Sequence, residues 1–174
     1  MCYPKSAEVK HAVNEALRLF YLNDLYLIRH DVHECALTFR LGLYLQQLFS
    51  GWDVDCEFNR DICADDGIKR IPIRDHGRHK RKDIVPDIII HKRGIDCNLL
   101  VIEAKKNPTE TDRGKDIAKI KSCLEADSLH YCYGLFLDFQ STREETMDAS
   151  VFINQNGESS LRIKSRSANE NEVK

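Results

Sequence analysis

Two short apolar runs decide the fold: Val85-Pro86-Asp87-Ile88-Ile89-Ile90-His91 and Leu99-Leu100-Val101-Ile102-Glu103-Ala104-Lys105. Both are rich in aliphatic and β-branched residues, as buried strands are, and the turn-forming residues 93–96 separate them. The pattern therefore predicts a hairpin of two buried strands. Because side chains alternate between the faces of a strand, Asp87 should share a face with Ile89 and His91, and Glu103 should share a face with Lys105.

Three charged side chains interrupt these apolar strands: Asp87, Glu103 and Lys105. A buried charge costs several kcal/mol unless it is paired or binds a metal. One explanation is a structural salt bridge, in which Lys105 pairs with Asp87 or with Glu103. However, one lysine cannot neutralise two carboxylates, and Mg2+ and Mn2+ prefer oxygen ligands of this kind. The pattern therefore favours a divalent-metal site at the hairpin.

The same residues resemble a known motif. Pro86-Asp87, followed by Glu103-Ala104-Lys105 with 15 residues between the two acids, is similar to the motif of the PD-(D/E)xK nuclease superfamily, which has the restriction-endonuclease-like fold. The resemblance implies a Mg2+- or Mn2+-dependent nuclease that hydrolyses phosphodiester bonds, with DNA favoured over RNA. It also implies that Asp87, Glu103 and the Ala104 carbonyl bind the metal, and that Lys105 orients or deprotonates the attacking water.

Glu34 is a fourth candidate for the site. It lies near the start of a predicted helix over residues 31–49, on the same helical face as Leu41 and Leu45. The residues alone leave two roles open, because Glu34 could complete a capping box with Asp31 or could point inward. Members of the resembled family often carry an additional acidic residue at this place. The resemblance therefore implies that Glu34 is a catalytic residue and a metal ligand.

The whole pattern predicts an α/β fold in a single domain over residues 1–165. The order of elements is α-α-β-β-β-α-β followed by a C-terminal hairpin, and the resemblance implies a restriction-endonuclease-like core with a mixed sheet flanked by helices. Besides the central hairpin, the predicted elements are helices at 5–22, 31–49 and 109–126, strands at 52–58 and 131–139, and a hairpin pairing 150–154 with 160–165. Residues 59–83 are predicted as a long connection and 166–174 as a disordered tail.

Positive charge is concentrated next to the candidate site. The chain has a net charge of -2, yet residues 69–82 hold seven basic side chains and one acidic side chain. Such a segment could neutralise several phosphates, and the alternative is a solvated loop without a partner. The predicted nucleic-acid-binding residues are Lys69, Arg70, Arg74, Arg78, Lys80, Arg81 and Lys82 in this segment, with Lys106 and Arg113 after the hairpin.

The composition limits the class of protein. Hydrophobic residues make up 42% and charged residues 31% of the chain, and no apolar run approaches the roughly 20 residues that span a bilayer. The first residues lack the apolar core of a signal peptide, and the seven cysteines, an odd number without a Cys-x-x-Cys pair, are not expected to form a disulfide framework. We therefore expect a cytoplasmic protein.

Three further expectations concern partners and function. A homodimer is expected, because one site of this kind cuts one strand and two-fold symmetry is the commonest way to add a second site. Two other functions stay open: a nucleic-acid-binding module without catalysis, and an interaction subunit of a larger nuclease or defence assembly. The presence of Asp87, Glu103 and Lys105 together favours catalysis.

Overall fold

The computed structural model describes residues 3–30, 32–75, 78–140, 150–154 and 156–161, with the backbone alone at 73–75 and 78–79. Within these ranges the helices are Ser6–Arg29 (α1), Glu34–Leu48 (α2) and Glu110–Glu125 (α3). The strands are Asp53–Cys56 (β1), Arg70–Asp75 (β2), Arg78–Asp83 (β3), Ile88–His91 (β4), Asn98–Lys106 (β5), Tyr133–Phe139 (β6), Ser150–Asn154 (β7) and Gly157–Leu161 (β8).

Six of the strands form one mixed sheet in the order β1-β4-β5-β6-β7-β8. The predicted central hairpin is confirmed, because β4 and β5 pair antiparallel with Ile88 opposite Ile102. The predicted crossover is also confirmed, since β5 runs into α3 and then pairs in parallel with β6. The other neighbouring strands of the sheet are antiparallel. The protein is therefore an α/β protein with a mixed sheet, as the sequence predicted at this level.

Two apolar layers hold the helices against the sheet. Ile88, Ile90 and Ile102 lie in the core that α1 and α2 cover, whereas Ile89 and Val101 lie in the core that α3 covers. Both faces of β4 and β5 are therefore buried, which explains why these runs are apolar throughout rather than alternating. Each fully buried aliphatic side chain contributes about 1.5–3 kcal/mol relative to an exposed one.

The contact between α3 and β6 depends on Gly134. A Cβ atom at this position would lie only 2.1 Å from Cγ2 of Ile120 on α3. Glycine is therefore required for the close approach of the helix to the strand. The approach fixes α3 above the sheet, so the inner side chains of the helix are held over β5 and β6.

The helices on the other face differ from the predicted ones at their ends. The first helix continues to Arg29 instead of ending at residue 22, and the predicted break survives as a kink at Asp24 (φ -125°, ψ 15°). Asp24 accepts hydrogen bonds from Arg40 and from the Tyr44 hydroxyl of α2, which ties the kink to the neighbouring helix. The second helix begins at Glu34 with His33 as its N-cap, and Asp31 lies outside the described residues.

The prediction of a long irregular connection over residues 59–83 is wrong. Most of its second half is an antiparallel pair, β2 with β3, in which Arg70 lies opposite Asp83. Ile71 and Ile84 are buried in the core under α3 and attach this two-stranded ribbon to the domain. None of the helices in the described ranges has the length and apolar character needed to cross a membrane.

The last hairpin has a different register from the predicted one. Its first strand is Ser150–Asn154 as predicted, but the second is Gly157–Leu161 rather than 160–165. Asn154 pairs with Gly157, which has a φ of 113°, so the turn lies close to the predicted Asn156-Gly157 and the second strand begins three residues earlier than expected. Residues 162–165 and the predicted tail at 166–174 lie outside the described residues.

Candidate active site

The three charged residues of the central hairpin gather where β4 begins and β5 ends. Asp87 directly precedes β4, and its Oδ2 accepts a hydrogen bond from the backbone amide of Ala104 at 2.8 Å. Glu103 points toward α3, as the alternation of β5 requires, because its Oε2 accepts a hydrogen bond from Lys119 at 2.7 Å. In a strand, the N–H and C=O of one residue point to the same side, so the Ala104 carbonyl also faces the edge beside Asp87.

Glu103 is the most buried acid of the site. The residue is only 3% exposed, and its Oε1 has no hydrogen-bond partner among the described residues. Burial raises the pKa of Glu103 to about 8, although Lys119 acts to lower it and Asp87 adds a smaller upward effect. A carboxylate oxygen that is enclosed without a donor is costly, so this atom calls for a partner that binds it.

Asp87 is half-buried beside Glu103. Burial raises the pKa of Asp87, whereas the amide of Ala104 and the charges of Lys119 and Lys105 act to lower it. The hydrogen bond to the strand backbone fixes one oxygen of the carboxylate. Asp87 is therefore an acid held in place by a neutral donor rather than by an ion pair at hydrogen-bond distance.

Lys105 does not form the salt bridge that the sequence left open. Its Nζ donates to Oε2 of Glu34 at 2.8 Å, so its ion-pair partner is neither Asp87 nor Glu103. The hydrogen bond to Glu34 raises the pKa of Lys105, and the group stays an ammonium at neutral pH. The ion pair brings the start of α2 to the end of β5.

Glu34 lies at the site and not in a capping box. It is the first residue of α2, whereas a capping box uses the third residue after the N-cap. Its Oε1 accepts a hydrogen bond from the backbone amide of Lys106 at 3.1 Å. Both carboxylate oxygens of Glu34 therefore accept hydrogen bonds from residues of β5, so its side chain has the inward orientation.

Two residues of α3 belong to the site and were missed by the sequence reading. Lys119 contacts Glu103 and also donates to the carbonyl of Val85 at 3.1 Å. Asp116 lies one turn earlier, and its Oδ2 is buried without a partner among the described residues. Burial raises the pKa of Asp116, while Lys105 and Lys119 act to lower it. Charged residues beside Ile117 and Ile120 on the inner stripe of α3 were the available signal.

Two of the predicted nucleic-acid-binding residues are in the wrong place for that role. Lys69 is 1% exposed, its Nζ donates to the Tyr131 hydroxyl at 2.6 Å, and burial lowers the pKa of Lys69 to about 8. Arg113 forms an ion pair with the buried carboxylate of Asp138. Because the lysine is interior and the arginine is anchored in the domain, both predictions are corrected.

The other predicted contacts differ in their accessibility. Lys80, Arg81 and Lys82 on β3 are exposed, as a phosphate contact requires. Arg70 is held between the carboxylates of Asp66 and Asp83. Lys106 is half-buried beside Glu34, and the side chains of Arg74 and Arg78 lie outside the described residues.

His91 lies at the opposite end of β4 from Asp87. Its Nε2 lies 2.8 Å from Oδ2 of Asp55 on the neighbouring β1, and the residue is 4% exposed. Burial lowers the pKa of His91, although Asp55 acts to raise it. His91 is therefore a buried partner of the edge strand and is separated from the acids that it accompanies in the sequence.

The residues of the site fit a hard divalent cation. The oxygen donors would be Asp87, Glu103 and the carbonyl of Ala104, and Oε1 of Glu103 is already turned into the interior without a donor. Within the described ranges no group of three or more acidic, histidine or cysteine side chains is arranged to hold a metal ion. The candidate set is smaller than such a group, because it has two carboxylates and a main-chain oxygen.

Comparison with protein-family models, with curated proteins and with solved structures finds no significant match for this chain. The fold and the site define an α/β protein whose mixed sheet carries a group of acids, with Glu103 buried among them, at the end of its central hairpin. Its function is therefore argued from the geometry of that group.

Proposed function

We propose that this protein is a divalent-metal-dependent nuclease of the PD-(D/E)xK type, with a restriction-endonuclease-like core. The observation that carries the proposal is Oε1 of Glu103, a buried carboxylate oxygen that has no hydrogen-bond donor among the described residues and lies on the same sheet face as Asp87. The ion pair with Lys119 engages Oε2 of Glu103 and leaves Oε1 without a donor among the described residues. A divalent cation is a partner that this second oxygen could bind.

The balance of charge at the site supports a cation of charge two. Among the described residues, the site contains the carboxylates of Glu34, Asp87, Glu103 and Asp116, against the ammonium groups of Lys105 and Lys119. When all are ionised, two negative charges stay uncompensated. Because burial raises the pKa values of Asp87, Glu103 and Asp116, a divalent ion that bound their ionised forms would offset the cost of burying these charges.

Each residue has a separate role in the proposed reaction. Asp87, Glu103 and the Ala104 carbonyl would hold Mg2+ or Mn2+, and Glu34 would support the site through Lys105. The ion would polarise the scissile phosphate and lower the pKa of a nearby water. The Lys105 ammonium would stabilise the negative charge that develops on the phosphate, which is the role left to it once Glu34 keeps it protonated.

The proposed substrate is DNA, and the ribbon of β2 and β3 is its proposed contact. Two antiparallel strands have the width to enter the major groove of a duplex, and Lys80, Arg81 and Lys82 are exposed on the second strand. Their charges would neutralise phosphates. A homodimer is proposed for cutting both strands, because a single site attacks one strand at a time.

A cleavage assay on supercoiled plasmid and on single-stranded DNA tests the proposal. Cleavage should require Mg2+ or Mn2+, should be poor with Ca2+, and should stop in EDTA. The variant Asp87→Asn should be inactive. Equal activity in EDTA would refute the metal role, and salt-dependent DNA binding without cleavage under any of these ions would indicate a binding module instead.

A further inference from the structure

The position of Asp116 is fixed by contacts on both sides of it along α3. One turn later, Lys119 donates to the buried Glu103. One turn earlier, Arg113 forms an ion pair with Asp138, which is 1% exposed. The close packing at Gly134 holds the same helix against β6. Asp116 therefore lies between two anchored residues, above the strands that carry the candidate site.

Asp116 and Glu103 are the two acids of the site that have a buried oxygen without a donor among the described residues. Glu34 accepts from Lys105 and from the amide of Lys106, Glu103 accepts from Lys119, and Asp87 accepts from the amide of Ala104. Oδ2 of Asp116 is buried and has no donor among the described residues. An enclosed acceptor without a donor is the atom to which a water molecule or a proton would bind.

Hydrolysis of a phosphodiester needs a proton acceptor close to the attacking water. The attacking water must lose a proton as its oxygen bonds to phosphorus. Lys105 cannot take it, because its ammonium already donates to Glu34. Oε1 of Glu103 is assigned to the metal, which leaves Oδ2 of Asp116 as the buried carboxylate oxygen of the site without a donor among the described residues.

We infer that Asp116 is the proton acceptor of the reaction, an inference that rests on the proposed nuclease function. The O–H bond of the attacking water breaks and its proton passes to Oδ2 of Asp116. The water oxygen forms the new bond to phosphorus, the bond from phosphorus to the 3′ oxygen breaks, and the 3′ oxygen takes a proton from solvent. The products are a 5′-phosphate and a 3′-hydroxyl, and Asp116 returns its proton to solvent.

The surroundings of Asp116 suit a base rather than a ligand. The described residues contain no group of three or more acidic, histidine or cysteine side chains arranged to hold a metal ion, so Asp116 does not form such a group with Asp87 and Glu103. Burial raises the pKa of Asp116 and makes its carboxylate a stronger base; Lys105 and Lys119 oppose this effect, and Asp87 and Asp112 add to it.

The test uses the full chain, with Asp116→Asn compared against Glu125→Gln. Glu125 is an exposed acid on the same helix and outside the site, so its variant should behave as wild type. Asp116→Asn should lower kcat for plasmid cleavage by about 100-fold or more, which is the usual effect of losing a general base. The rise in melting temperature that Mg2+ causes, and the Kd for plasmid DNA, should stay unchanged. The rise of rate with pH should disappear.

A second variant separates proton transfer from a structural role. In Asp116→Ala, added formate should restore part of the rate, because a small carboxylate can enter the space and take the proton. Lack of rescue, or near-wild-type cleavage by Asp116→Asn, would overturn the inference and leave the nuclease assignment intact. Loss of the Mg2+ response in Asp116→Asn would also overturn it, since Asp116 would then bind the metal. No cleavage by the wild type would refute the proposed function itself.

Discussion

Replacing Glu103 with glutamine should change how the stability of the metal-free protein depends on pH. Glu103 is 3% exposed, and burial raises its pKa from 4.5 to about 8 in spite of the ion pair with Lys119. A carboxyl group whose pKa is higher in the folded protein than in the unfolded chain favours folding only while it is protonated. Its contribution is complete below the unfolded pKa and is lost as the pH rises through the folded pKa.

The size of this change in stability follows from the difference between the folded and the unfolded pKa of Glu103. Between them, the free energy of unfolding falls by about 1.4 kcal/mol for each pH unit. From about pH 5 to about pH 7.5, the wild type should therefore lose roughly 3 kcal/mol relative to Glu103→Gln. The ion pair with Lys119 forms only when Glu103 is ionised, and its effect is already contained in the folded pKa of about 8, so it adds no separate contribution to the slope.

Urea-induced unfolding in EDTA measures both curves, with the fluorescence of Trp52, the single tryptophan, as the signal. Glu125→Gln is the matched control, because Glu125 is an exposed acid on α3 and its variant should follow the wild type. Saturating Mg2+ should reduce the fall in the wild type, since a cation that binds the ionised acid stabilises the folded state.

Parallel curves for the wild type and Glu103→Gln would refute the reasoning. They would mean that Glu103 titrates near its ordinary pKa in the folded protein, with Lys119 compensating the whole cost of burial. The orphaned oxygen would then need no cation, and the argument for a metal site at β5 would lose its main support.

Three further outcomes are expected. Asp87→Asn should abolish cleavage and weaken the Mg2+-induced rise in melting temperature. It should leave the metal-free protein at least as stable as the wild type, and a loss of roughly 3 kcal/mol of metal-free stability would contradict this expectation. Lys69→Met should be more stable than the wild type at neutral pH. Urea unfolding should show that the difference in free energy of unfolding shrinks by about 3 kcal/mol between pH 8 and 10, because Lys69 has a pKa of about 8 in the folded protein and 10.5 in the unfolded chain. Replacing Lys80, Arg81 and Lys82 together with alanine should reduce the slope of log Kd for DNA against log salt by about 2 to 3, and an unchanged slope would mean that β3 is only solvated surface.

The sheet was predictable where local pattern and strand pairing agree. The two central strands are continuous apolar runs joined by a short turn, so their pairing needs no distant contact. The ribbon of β2 and β3 was not predictable in this way, because its strands consist mostly of charged residues and Ile71 is one of the few that reach the core. Their pairing depends on backbone hydrogen bonds and on attachment under α3, which a hydrophobic pattern does not record.

The candidate site was predictable only on the strands themselves. Alternation placed Glu103 on the face toward α3 that it occupies, and the inward stripe of α2 indicated the orientation of Glu34. The choice of partner was not predictable, since it depends on how far α2 and α3 reach over the end of the sheet. The pairing of Lys119 with Glu103 and the burial of Lys69 arise from tertiary packing alone.

The two lysines of the site explain how the fold can form before a cation binds. Lys105 compensates Glu34 and Lys119 compensates Glu103, so the contacts of α2 and of α3 with the end of β5 each include an ion pair. Among the described residues, Asp87 accepts a hydrogen bond from a backbone amide alone, and Oδ2 of Asp116 has no donor. Complete pairing would have required further cationic side chains, which would fill the space beside these acids. Glu34 and Glu103 are therefore stabilised by ion pairs within the fold. The charge of Asp87 is left for a divalent ion, and the charge of Asp116 is left for the proton of the attacking water.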